Sequence, residues 1–340
     1  MLRLRWAAML PAMKRRSALL LATAGLALRP ALAGGGHPAQ DLTWTDASRQ
    51  RSLPLRLRLP AGQGAVPLVL FSHGLGGSVD AGTQWAEAWA RAGIATLHLQ
   101  HPGSDSDVIR NGGPRALREA ANAKQLQARC ADVRFVLDEL ARRATEPGLQ
   151  RLRLDAVGLA GHSFGAHTTL AIAGQSFGRA GAPLADPRPR AFAAFSPSPG
   201  DAGRTDAADA FGGIRRPVLC LTGSLDGDPL GLAARTDASR ADSGQWRRAV
   251  YDALPAGDKA ELWLDGADHM SFSGQDLPRR MARLRSRPEA ATQQAARHRA
   301  LIESRSTLWW QAQLLNDAAA RAELAQAPAQ LLPEDAWRRA

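Results

Sequence analysis

Apolar residues in this chain cluster in short unbroken runs. Pro67-Leu68-Val69-Leu70-Phe71, Ala156-Val157-Gly158-Leu159-Ala160, Ala191–Phe195, Pro217-Val218-Leu219-Cys220-Leu221 and Ala260–Leu264 are the clearest. Runs this short, apolar at odd and even positions alike, fit strands buried on both faces of a parallel sheet. Gly93–Leu99 adds another strand. Leu53–Leu59 alternates Leu with Arg and Pro and predicts an edge strand. The segments between them repeat at helical spacing: Trp85–Ala92, Pro114–Arg143 with Leu117, Leu126, Val133, Val136, Leu137 and Leu140, and Phe164–Ala173. Strands alternating with helices predict an α/β fold, a mostly parallel central sheet with helices on both faces.

No shift in composition divides the chain, so one domain is expected over residues 49–326. Residues 34–48 are expected as a flexible lead-in and 327–340 as a loose C-terminal tail. After Arg285 the sequence is helical and Ala-rich. Leu301, Ile302, Leu308, Trp309, Leu314 and Leu315 are spaced for a helix packed on the sheet.

Composition narrows the class. The 340 residues are 45% hydrophobic and 22% charged, enough for a sizeable core and unlike a disordered chain. The net charge of +11 is concentrated at the start. Six of the 43 basic residues lie in residues 1–33, which hold no acid, leaving 37 against 32 acidic residues. No basic stripe is interleaved with aromatics, so no nucleic-acid partner is expected. Lys14-Arg15-Arg16-Ser17, the apolar run Ala18–Leu28 and Ala31-Leu32-Ala33 have the order of an export signal cleaved near Ala33. The paired arginines favour the twin-arginine route over the general secretory one. Residues 1–33 thus predict a periplasmic or secreted protein. The apolar run is too short to span a bilayer, and no Cys sits near the cleavage site, so no stable membrane anchor is expected. Cys130 and Cys220 read as two small buried thiols without metal-ligand spacing, and no metal is expected.

Gly161-His162-Ser163-Phe164-Gly165 lies between a predicted strand and a predicted helix. That is the setting in which G-x-S-x-G forms a nucleophile elbow, a turn tight enough to need glycine on both sides and to expose the Ser163 hydroxyl. A serine hydroxyl needs a base and an oriented acid, found in the order Ser, Asp or Glu, His. Asp226, in the loop after Pro217–Leu221, is the expected acid, with Asp228 its rival. His269, after the strand Ala260–Leu264, is the expected base. The glycine turn Ser72-His73-Gly74-Leu75-Gly76-Gly77 follows the first buried strand. The backbone N–H groups of Leu75 and Phe164 are therefore the expected oxyanion donors. His73 is expected to brace that turn rather than to react.

Phe71–Gly77, Gly161–Ala166 and Ala267-Asp268-His269-Met270-Ser271-Phe272 resemble bacterial predicted dienelactone hydrolases, which are close to the platelet-activating-factor acetylhydrolases. The resemblance covers about residues 50–285. It implies the α/β-hydrolase fold and a cofactor-free esterase. Two features depart from the pattern. Dienelactone hydrolases carry a cysteine nucleophile where this chain has Ser163. The acetylhydrolases carry their acid after the strand that follows the elbow, where this chain reads Phe195-Ser196-Pro197. The expected reaction is hydrolysis of small or medium soluble carboxylic esters through an acyl-enzyme. Peptidase, thioesterase and polyester hydrolase activity use the same chemistry, and a non-catalytic binding protein is the alternative of another class. Asp105, Asp107 and Gly112-Gly113-Pro114 are expected in a loop after a strand end, as pocket or lid residues, and Leu230–Trp246 as a second cap. The oligomeric state is left open.

Overall fold

The computed structural model describes residues 37–178, 183–200, 206–229, 231, 243–275 and 288–340. The predicted export segment and most of the predicted cap lie outside them. Nine strands form a single sheet. In chain order they are β1 (Ala39–Asp46), β2 (Arg51–Arg58), β3 (Val66–Ser72), β4 (Ala95–Leu99), β5 (Leu152–His162), β6 (Ala191–Phe195), β7 (Val218–Leu225), β8 (Lys259–Asp268) and β9 (Ala336–Arg339). Their spatial order is β1-β2-β4-β3-β5-β6-β7-β8-β9. The six strands from β4 to β8 run parallel; β1, β2 and β9 are antiparallel to their neighbours. The five predicted apolar runs all lie in this parallel block, where both faces are covered.

Helices cover the two faces separately. They are α1 (Thr83–Arg91), α2 (Ser106–Glu119), α3 (Ala123–Arg142), α4 (Phe164–Ala173), α5 (Ala207–Phe211), α6 (Ala249–Ala253), α7 (Glu289–Gln293), α8 (Ala295–Leu314) and α9 (Ala318–Leu324). On one face Cys130, Val133, Val136 and Leu140 of α3, with Leu170 and Ile172 of α4, pack on Leu68, Leu70 and Leu159. On the other, Trp85 and Trp89 of α1 and Trp309 and Trp310 of α8 pack on Phe71, Ala160 and Phe195. Two layers of helix over one parallel sheet give the expected α/β architecture. Among the described residues no helix is long and apolar enough to cross a membrane.

Five expectations about individual elements need correction. Residues 39–46, expected within the lead-in, form β1, paired with β2 along its whole length. Leu42 and Trp44 alternate with Thr43 and Thr45, and buried Trp44 pins the strand to the core. Leu53–Leu59 is therefore the second strand rather than the edge. The tail 327–340 ends in β9, which pairs with β8. Its Arg338 Nε donates to the fully buried Glu261 at 2.7 Å, so an ion pair anchors a strand too short to show a pattern. The long predicted helix over Pro114–Arg143 is two helices, α2 and α3, joined at residues 120–122. Of the pocket residues expected in a loop, Asp107 and Gly112-Gly113-Pro114 belong to the kinked helix α2, bent at Gly113 (φ 65°, ψ −165°) just before Pro114, and Asp105 stands at its N-terminal cap.

Candidate active site

All the expected site residues lie at the carboxyl ends of parallel strands. Leu75 follows β3, Ser163 follows β5, Asp226 follows β7 and His269 follows β8. In open α/β sheets this edge is where ligands bind. Ser163 forms the corner between β5 and α4 with φ 56° and ψ −115°, a conformation that costs about 1–3 kcal/mol for a residue bearing a side chain. Its N–H donates to the Phe195 carbonyl at 2.9 Å, which ties the corner to β6. The flanking glycines are required by contact. A Cβ on Gly161 would stand 2.3 Å from the Gly165 carbonyl oxygen, and one on Gly165 would stand 1.9 Å from that of Ser72.

His269 opens a short 3-10 turn, His269–Phe272. Asp268 caps that turn by accepting from the Ser271 N–H at 2.9 Å. The acid that reaches His269 is Asp226: its Oδ1 lies 2.7 Å from Nδ1. Asp226 is fully buried, and Thr222 Oγ1 donates to its other oxygen at 2.9 Å. Burial alone would raise its pKa; Arg247 and His269 outweigh burial and hold the carboxyl down at about 2.

Two neighbours of this pair carry no sequence motif. Arg247, 4% exposed, sets Nε 3.0 Å from Asp226 Oδ1. It also donates to the carbonyls of Asp226, Ser196, Pro197 and Gly227 at 2.6–3.2 Å, and its Nη2 lies 3.5 Å from His269 Nδ1. His162 packs its ring on that of His269, centroids 4.7 Å apart, and its Nε2 donates to the His269 carbonyl at 3.0 Å. Burial, with a smaller push from His269, lowers the His162 pKa to about 3, so the ring is neutral. Both residues lie next to motif residues in space but gave no local pattern. His162 was visible only as the variable position of the elbow.

The glycine turn lies against the elbow. A Cβ on Gly74 would approach His162 Nδ1 to 3.1 Å and Ser163 Cβ to 3.3 Å, so a side chain there would press on the elbow. His73 braces the turn: its Nδ1 donates to the Gly74 carbonyl at 2.6 Å, and its Nε2 accepts from the His101 N–H at 2.9 Å. Cys130 and Cys220 are free, buried thiols with raised pKa values, Cys130 at about 12, chiefly through burial. Among the described residues no group of three or more His, Cys, Asp or Glu is placed to hold a metal.

No protein-family model matches the chain, and no curated protein matches it. Among solved structures it is similar to a 2,6-dihydroxy-pseudo-oxynicotine hydrolase. The TM-score is 0.52 and the identity 18%, over 82% of this chain and 69% of that one. With the mostly parallel sheet covered by helices, this likeness gives the chain the α/β-hydrolase fold.

Proposed function

We propose that the protein is a serine hydrolase that cleaves carboxylic esters through an acyl-enzyme. The observation that carries this reading is the 2.7 Å contact of buried Asp226 with His269 Nδ1, on the same carboxyl edge of the sheet where Ser163 is held at positive φ. A proton on Nδ1, shared with Asp226, leaves Nε2 as the acceptor for the Ser163 hydroxyl. Ser163 Oγ attacks the ester carbonyl carbon as His269 takes its proton. The tetrahedral oxyanion receives the N–H groups of Leu75 and Phe164. The C–O bond to the alcohol breaks as His269 protonates the leaving oxygen, and water repeats the sequence on the acyl-enzyme.

The direct test is labelling with a fluorophosphonate probe. Wild type should label and Ser163→Ala should not; equal labelling of both ends the nucleophile assignment. A panel of p-nitrophenyl esters of increasing acyl length then defines the pocket, with short and medium chains expected to be fastest. We also propose export, supported by Lys14-Arg15-Arg16 before an apolar run. Arg15/Arg16→Lys should abolish delivery to the periplasm, and undiminished delivery would refute the twin-arginine route.

A further inference from the structure

Arg129 lies in the middle of α3, fully buried. Buried guanidinium groups are normally matched by carboxylates. Among the described residues this one makes no salt bridge, and every group it hydrogen-bonds is neutral. Its Nε donates to Thr168 Oγ1 at 3.0 Å, Nη1 to Ser104 Oγ at 2.9 Å, and Nη2 to Ser72 Oγ at 3.0 Å and to the His73 carbonyl. The guanidinium carbon sits 4.8 Å from the centroid of the Phe164 ring. One planar fork therefore touches the end of β3 with its glycine turn, the loop after β4, and the first turns of α4.

The carboxylate nearest in sequence is used elsewhere. Asp132, three residues further along α3, accepts from Arg49 and Arg51 at 2.8–2.9 Å and from His101 Nδ1 at 3.0 Å. The other nitrogen of His101 accepts from the Ser72 hydroxyl at 3.0 Å, and that hydroxyl in turn accepts from Arg129. Burial lowers the Arg129 pKa to about 9, with Asp132 and Asp105 acting at longer range to hold it up, so it is cationic at neutral pH. A cation without a contacting anion is costly in a low-dielectric interior, and an apolar side chain would fill the same space at less cost. Among the described residues no carboxylate touches the charge. The reaction supplies an anion between the two elements that the fork joins.

We propose that Arg129 is a positioning residue for the oxyanion site. Its fork fixes the separation of the turn bearing the Leu75 N–H from the helix start bearing the Phe164 N–H, and its charge favours the negative charge that forms between them. The proposal rests on the serine-hydrolase reading above. Its test measures kcat per active site on a p-nitrophenyl ester, with sites counted by fluorophosphonate titration, for the full-length wild type, Arg129→Gln and Arg129→Lys. Arg129→Gln should lose about 10²-fold in kcat per site with KM nearly unchanged, and should bind a trifluoromethyl ketone more weakly by a similar factor, because that inhibitor's oxyanion uses the same donors. Arg129→Lys keeps the charge but not the fork, and should lose about 10-fold. A merely structural residue would reduce the titratable fraction and leave kcat per site alone. Where Arg129→Gln fails to fold, Arg129→Lys decides by the same measurements. Unchanged kcat per site in a folded variant, or a loss confined to KM, overturns the proposal. A wild type without Ser163-dependent labelling or hydrolysis overturns the hydrolase reading, and this proposal with it.

Discussion

Two buried arginines flank the elbow, and their surroundings are opposite. Arg247, on the acid–base side, lies 3.0 Å from the Asp226 carboxylate and donates to four backbone carbonyls. Arg129, on the oxyanion side, donates to three hydroxyls and one carbonyl. The difference follows from when the negative charge exists. Asp226 is ionised at all times, so a permanent cation beside it lowers the cost of burying both. An oxyanion exists only during the reaction, so the cation serving it is unmatched at rest. On the proposed reading, Arg247 serves chiefly stability and Arg129 chiefly rate.

The largest expected effect tests the acid that Arg247 supports. Asp226→Asn should lower kcat on a p-nitrophenyl ester by about 10⁴-fold, because the imidazole loses its orienting anion. Asp228→Asn should have little effect, and the reverse order would move the acid to Asp228. The next tests the comparison itself in chemical denaturation. Arg247→Met strands the Asp226 charge in the interior and should destabilise the fold by about 3–5 kcal/mol. Arg129→Gln strands only neutral acceptors and should cost about 1–3 kcal/mol. Equal losses, or the opposite order, would break the division of labour. His162→Phe removes the bond to the His269 carbonyl while keeping the ring contact. It should lower kcat by about 10-fold, as a base loop slightly out of place does, with little change in stability. An unchanged kcat would show that Asp226 alone positions His269.

The pH dependence of stability comes from histidines that burial keeps neutral. Burial lowers His98 and His101 to about 4 and His162 to about 3, against about 6.5 in the unfolded chain. The unfolded state binds more protons between those values, so their contribution is complete above about pH 6.5 and is lost as the pH falls towards 4. Urea denaturation across that window should show stability falling with acidity. His101→Asn should make the slope shallower, and an unaltered slope would mean that His101 is not buried neutral.

Most of the parallel block was legible because a strand covered on both faces must be apolar at every position, and few other elements are. β1 and β9 were missed for the converse reason. An edge strand buries one face at most, and β9 has four residues, held by Arg338 on Glu261 from 77 positions away. The turn between α2 and α3 was missed because apolar spacing continues on both sides of it. At the site, Ser163, Leu75 and Phe164 were marked by glycines that the close approach of backbones requires. Asp226 and His269 were marked by their places after strands. Arg129, Arg247 and Asp132 were marked by nothing. They stand among 43 basic and 32 acidic residues, and their local sequence does not tell a buried charge from a solvated one.

The sequence by itself determined the order of the parallel strands, the strand-to-helix corner at Ser163 and the residue types available to serve it. Those follow from local sterics and from the periodicity of burial, which act over a few residues. Only the tertiary structure decided which carboxylate meets His269, that the His162 ring packs on His269, and that, among the described residues, one buried arginine touches an anion while the other does not. Such pairings depend on distances between segments brought together by the sheet. Burial then magnifies the consequence of each, because water no longer screens the charge.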